Sequence, residues 1–159
     1  MADESVDLVV AGWAVSYLKS DNEEWNYADG TSSGTWREEV DAALAEFERV
    51  CKPGGTMVIL ETHGTAVYKP QRLGSHLYAH LRQAGLQEAM IRTDYLFPSK
   101  RAALETLRFF FGKGVANRAK TQLEALNEDS PCIVPEFTGV WWKQRKEPHE
   151  RVAALEEAG

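Results

Sequence analysis

His63 is the side chain in this sequence best suited to moving a proton, because an imidazole accepts one near neutral pH. It closes the triplet Glu61, Thr62, His63, which follows directly on the apolar run 56–60 (TMVIL). Open α/β sheets bind their ligands at the carboxyl ends of strands, so a carboxylate, a hydroxyl and an imidazole at that point are expected to face a substrate. Gly12 and Trp13 close an earlier apolar run, 5–13 (SVDLVVAGW), at the corresponding place. Tyr95, beside Asp94, ends a third run, 87–95, and with Trp25, Tyr27 and Trp36 it offers aromatic surface for an apolar pocket, although such residues more often serve packing. No metal is expected: Cys51 and Cys132 stand far apart, with no CxxC pair and no Cys/His cluster at zinc-ligand spacing. His76, His80 and His149 receive no chemical role. Phe109, Phe110 and Phe111 are expected in a core or an interface, and Trp141 and Trp142 on opposite faces of a strand.

The elements that must position these residues can be read from periodicity. The run 5–13 is short and almost continuously apolar, as in a strand buried on both faces of a parallel sheet. Residues 19–34 are rich in Asp, Asn, Glu, Gly and Ser and predict a solvent-exposed loop. From 35 to 51 the spacing of Val40, Ala43, Leu44, Phe47 and Val50 predicts a helix, with Thr35 and Glu38 placed as a capping box and Lys52-Pro53-Gly54-Gly55 as the stop. The run 56–60 then completes a βαβ unit, whose two strands a right-handed crossover sets parallel. A helix over 71–84, with Leu73, Leu77, His80 and Leu81 on one stripe, ends at Gly85. A strand over 87–95, a helix from a Ser99 cap to 111, a helix over 115–126 and a last strand over 133–145 follow.

At 159 residues and 43% hydrophobic content, the sequence has material for one packed core. The net charge of −6, from 24 acidic and 18 basic side chains, predicts repulsion of a phosphate backbone, so nucleic acid is not expected as a partner. No apolar run approaches the ~18 residues of a membrane helix, and the opening Met1-Ala2-Asp3-Glu4 lacks a signal peptide's positive charge. A soluble, cytoplasmic protein without membrane contact is the expectation.

The string Arg49 to Gly55 (RVCKPGG) before an apolar strand resembles the turn before the fifth strand of class I S-adenosylmethionine-dependent methyltransferases. Its order relative to three other features strengthens the likeness: DLVVAGWA (7–14) before it, Ala84-Gly85-Leu86 after the next helix, and IRTDYLFPS (91–99) ahead of a helix ending in FFFG (109–112). The last is similar to a methyltransferase type 11-like subgroup, and the resemblance spans residues 5–145. It implies an α/β, partial Rossmann-like methyltransferase sheet, mostly parallel with an antiparallel last strand and flanking helices, over residues 1–146, with 147–159 as a polar tail. It further implies S-adenosylmethionine as cofactor, held by Gly12 and Trp13; a small-molecule methyl acceptor met by Glu61, Thr62 and Tyr95; and His63 as the catalytic base.

One departure carries its own expectation. The family grips its cofactor with a glycine-rich turn after the first strand and an acidic residue ending the second. No GxGxG occurs here, and Gly30 and Gly34 lie in a polar loop. The first strand of this chain corresponds to the family's fourth, which lies in the sheet between the first and the fifth. The chain is therefore expected to be a C-terminal half, truncated or completed by a second copy or another chain at an exposed sheet edge. A non-catalytic partner of a complete methyltransferase and a nicotinamide-dependent reductase are the alternatives.

Overall fold

A computed structural model describes residues 1–26, 28, 31–71 and 74–147. Tyr27, Gly30, Leu73, His149 and nearly all of the 147–159 tail lie outside the described residues. In chain order the elements are β1 (Val6–Gly12), α1 (Val15–Asn22), β2 (Glu24–Asn26), β3 (Thr31–Ser33), α2 (Trp36–Val50), β4 (Cys51–Thr65), α3 (His76–Gln83), β5 (Gln87–Arg92), β6 (Tyr95–Phe97), α4 (Lys100–Gln122), β7 (Cys132–Val134) and β8 (Glu136–Gln144). They divide between two compact units, one of residues 1–61, 76–89 and 140–159, the other of 62–75 and 90–139.

Four strands form one sheet in the order β1-β4-β8-β5. β1 and β4 run parallel, in register from Leu8 opposite Thr56 to Gly12 opposite Leu60, with α2 as the connection between them. β8 runs against β4: the Gly54 N–H bonds to the Arg145 carbonyl near the start of β4, while the Ala66 N–H just past its end bonds to that of Pro135. The sheet is thus the α/β arrangement expected, mostly parallel with an antiparallel last strand, and that strand is inserted beside β4. β1 lies at an edge, where Leu8 and Val10 are more than half exposed. Among the described residues, no strand pairs with β1 on the side away from β4.

In the first unit, Trp36 and Val40 of α2, Ile59 of β4, Leu77, Tyr78 and Leu81 of α3 and Trp141 of β8 form the core. Their helical and alternating spacings explain the elements: each helix buries one stripe against the sheet. α3 ends in a Schellman arrangement, with the Leu86 N–H bonded to the Leu81 carbonyl and the Gly85 N–H to that of Arg82, and Gly85 takes the left-handed φ of +83° that this stop requires. In the second unit, Ala103 and Leu107 pack with Ala116, Ala119, Leu123, Cys132 and Val134. The Ser99 hydroxyl caps α4 by accepting the Ala102 N–H at 3.1 Å. Gly112, at φ +79°, ψ −179°, interrupts α4 where the sequence predicts two successive helices.

Several expectations are corrected. Residues 19–34 are not all loop: α1 continues to Asn22, and the short antiparallel pair β2–β3 follows. Strands of three residues, polar but for Trp25, are too short to show an alternation. Thr35 precedes α2 but its hydroxyl makes no capping bond, so the capping box does not form. Lys52 to Gly55 stay within β4, looped out of register with β1 so that Asp7 alone stands against four residues. α3 begins at His76 rather than 71, and the strand predicted over 87–95 is two strands that pair with different partners. Phe109 and Phe110 are not core residues, being 83% and 70% exposed. Trp36 is fully buried in the first unit's core, so it does not line an aromatic pocket.

Candidate functional site

In the first unit the candidate residues gather at the carboxyl end of β1. The ladder with β4 ends as the Trp13 N–H bonds to the Leu60 carbonyl at 2.7 Å. Trp13 then takes a left-handed φ of +50°, uncommon for a bulky residue, and leaves its indole 46% exposed. α1 starts two residues on, and its capping residue Ala14 has no side-chain acceptor. Glu61 supplies one from β4, accepting the Ser16 N–H at 2.9 Å with a carboxylate that is 1% exposed. The negative charge also complements the positive end of the helix. Gly12, Trp13 and Glu61 are brought together in this way, and Glu61 is occupied in holding α1. Space is open above Gly12: a methyl group there would meet nothing within 4 Å.

In the second unit β4 continues through Thr62, His63, Gly64 and Thr65. Because side chains alternate along a strand, Thr62 faces opposite to Glu61 and His63. The triplet that is contiguous in sequence is therefore divided by the pleat. His63 is 1% exposed, and its Nδ1 lies 3.1 Å from the Gln71 carbonyl. A carbonyl can only accept, so Nδ1 is the donor in this contact. Thr62 donates its hydroxyl to Glu136 Oε1 at 2.8 Å and accepts the Gly64 N–H at 3.0 Å.

Glu136 is the residue that reading the sequence missed. It is 1% exposed, and its Oε2 has no hydrogen-bond partner among the described residues. Its backbone N–H bonds to Asp94 Oδ1 at 3.0 Å, and Asp94 in turn receives Arg92. That guanidinium first, and the Glu136 N–H second, hold the Asp94 carboxyl below the usual range. The Tyr95 phenol is pushed up, chiefly by burial and then by the negative charge of Glu136. Thr62 and Tyr95 thus share the neighbourhood of one buried carboxylate. A charged residue after Pro135 and ahead of the apolar stretch of β8 was the available signal.

Among the described residues no group of three or more His, Cys, Asp or Glu is placed to hold a metal ion. Cys51 and Cys132 are free and buried, and burial pushes both thiols up. A cleft of about 210 Å³ in the first unit, lined by Asp41, Leu44, Glu48, Met57, Leu86 and Lys143 among others, includes none of the candidate residues. No helix among the described residues is long and apolar enough to cross a membrane.

No protein-family model matches this sequence, and no curated protein sequence matches it. Solved structures do. A candidate methyltransferase from Bacillus halodurans is similar over 92% of this chain and 73% of its own, with 9% identity and a TM-score of 0.44. A candidate DNA modification methylase from Thermus thermophilus, complexed with S-adenosyl-L-methionine, is similar over 92% and 49%, with 16% identity and a TM-score of 0.33. A phosphoethanolamine N-methyltransferase of Haemonchus contortus, in complex with phosphomonomethylethanolamine and S-adenosylhomocysteine, is similar over 92% and 35%, with 11% identity and a TM-score of 0.35. The expected exclusion of nucleic acid is corrected, since a DNA modification methylase stands among the similar structures. Net charge is a sum over the whole surface and does not decide the sign of any one face.

Proposed function

We propose that this chain takes part in methyl transfer from S-adenosylmethionine to a small molecule, and that a second polypeptide segment supplies the glycine-rich turn absent from its sequence. The observation that carries the reading is the parallel β1–β4 pair, which ends in register at Gly12 and Leu60. In open α/β sheets that end of the strands is where ligands bind. Gly12, with open space over its backbone, and Trp13, with its exposed indole, fit the methionine portion of the cofactor. When bound, the cofactor supplies the electrophilic methyl on its sulfonium; the protein's part is alignment and exclusion of water. His63 is the base for the acceptor's proton in this proposal, with the Gln71 carbonyl holding its ring.

The test is calorimetric titration of the full chain with S-adenosylmethionine and, separately, NADPH. Binding of the first, weaker than micromolar because the glycine-rich turn is absent, and none of the second is expected, with the first weakened at least a further tenfold in Gly12→Leu. Silence toward S-adenosylmethionine, or binding of NADPH, overturns the reading. Transfer of a labelled methyl group to an oligonucleotide instead of to small molecules in a cell extract overturns the acceptor class. A second reading, a non-catalytic partner of a complete methyltransferase, is favoured by one observation: the carboxylate of Glu61 is already committed to the N-terminus of α1. Full binding of cofactor by a Glu61→Gln variant, with no transfer by either form, would support it.

A further inference from the structure

The middle of α4 presents the sequence Arg108-Phe109-Phe110-Phe111-Gly112-Lys113. All six residues are exposed, Phe109 by 83% and Phe110 by 70%. They sit where Gly112 breaks the helix, so the three rings cluster at a bend instead of following a buried stripe. Phe111 stands tilted against Tyr95, with ring centroids 6.2 Å apart, which anchors it on the second unit. Phe109 and Phe110 contact each other edge to face, 4.9 Å apart, and form an apolar knob.

The charge around the knob is as unusual as its apolarity. In a chain of net charge −6, α4 carries six basic side chains against the single acid Glu105. Lys100 and Arg101, at its start, pair with Glu128 and Asp129. Arg108, Lys113 and Lys120 are exposed and pair with no acid among the described residues, and Arg118 spends one nitrogen on the Thr65 carbonyl. Exposed aromatic side chains at a bend, bracketed by cations that pair with no acid among the described residues, match the interfacial region of an anionic bilayer: rings enter the acyl boundary and cations remain with the headgroups.

We propose that the Phe109 to Phe111 bend is a peripheral docking site for membranes rich in anionic phospholipid. A nucleic acid fits the same features less well. Phosphate recognition is driven by many cations, whereas four stand here.

The experiment is sedimentation of the full chain with sucrose-loaded vesicles of phosphatidylcholine alone or with 30% phosphatidylserine. At low salt the protein should bind the anionic vesicles at least tenfold more strongly than the neutral ones. Phe109→Ser/Phe110→Ser should lose at least tenfold, and Arg108→Glu/Lys113→Glu should lose both affinity and salt dependence. Both variants alter exposed side chains, and an unchanged thermal midpoint establishes that they remain folded. Equal sedimentation of wild type and the double-serine variant, or no binding to anionic vesicles, overturns the proposal. So does a dimer that the serine substitutions dissociate, which makes the knob a protein contact, or oligonucleotide binding that they abolish.

Discussion

Gly55→Ala should destabilise the chain measurably, whereas Gly12→Ala should not, although both positions stand on paired strands of the same sheet. An alanine methyl at Gly55 would lie 2.6 Å from Cys51 Sγ and 2.9 Å from the carbonyl oxygens of Asp7 and Lys52. Two of these three neighbours are backbone atoms, and Asp7 belongs to β1 at the point where the ladder resumes with Leu8 opposite Thr56. Relief therefore requires the two strands to part or the 52–55 loop to open. Gly55 also accepts the Arg145 N–H at 2.8 Å, so the displacement would reach β8. Overpacking of this kind costs about 1–3 kcal/mol. In a chain of this size each kcal/mol moves the midpoint by about 2–4 °C, so a fall of about 2–12 °C is expected. At Gly12 a methyl meets nothing within 4 Å, and a change within about 0.5 kcal/mol is expected. Thermal unfolding followed by circular dichroism, with urea titration as a second measure, decides. Equal midpoints for the two alanine variants would refute the close approach of β1 to the Pro53-Gly54-Gly55 loop, and with it the register that places Gly12 at the strand ends.

Glu61→Ala should cost about 1–2 kcal/mol through loss of the acceptor at the start of α1, and Glu61→Gln, which keeps an acceptor, should cost less; urea midpoints measure both. Asp94 should make stability depend on acid. Its carboxyl is lowered in the folded state by Arg92 and the Glu136 N–H, so its contribution is complete above the ordinary carboxylate pKa of about 3.9 and is lost as pH falls through the lower folded value. Asp94→Asn should flatten the fall of the urea midpoint in that acid window, and an unchanged slope would show that the Arg92 contact contributes nothing.

Much of the fold was legible because it follows from local pattern. The two apolar runs at 5–13 and 56–60 and the amphipathic spacing of α2 between them specify a parallel pair, and the Ser99 cap and the Gly85 stop are readable from residue type alone. The candidate site was less legible, because neighbours in sequence are not neighbours on a strand. Glu61 and His63 share a face of β4 while Thr62 takes the other, and each is held by a residue distant in sequence or by backbone: Ser16, the Gln71 carbonyl, Glu136. Apolarity leaves the place of a ring open: of pocket lining and packing, Trp36 takes packing, and of core and interface, Phe109 and Phe110 are not core. Composition does not specify which face of a helix finds a partner, and these rings stand exposed just before the break at Gly112.

The β1–β4 ladder has a consequence for biosynthesis. Each residue of β1 waits for a mate made 45 to 48 positions later, from Cys51 for Val6 to Thr56 for Leu8. At a ribosomal pace of about 5–20 residues per second, that delay is roughly 2–10 s, during which Leu8, Val9 and Val10 wait for β4. Parallel pairing cannot be nucleated by a hairpin, so α2 has to form first and carry the chain back. A nascent polypeptide in this interval is a natural client for a holding chaperone.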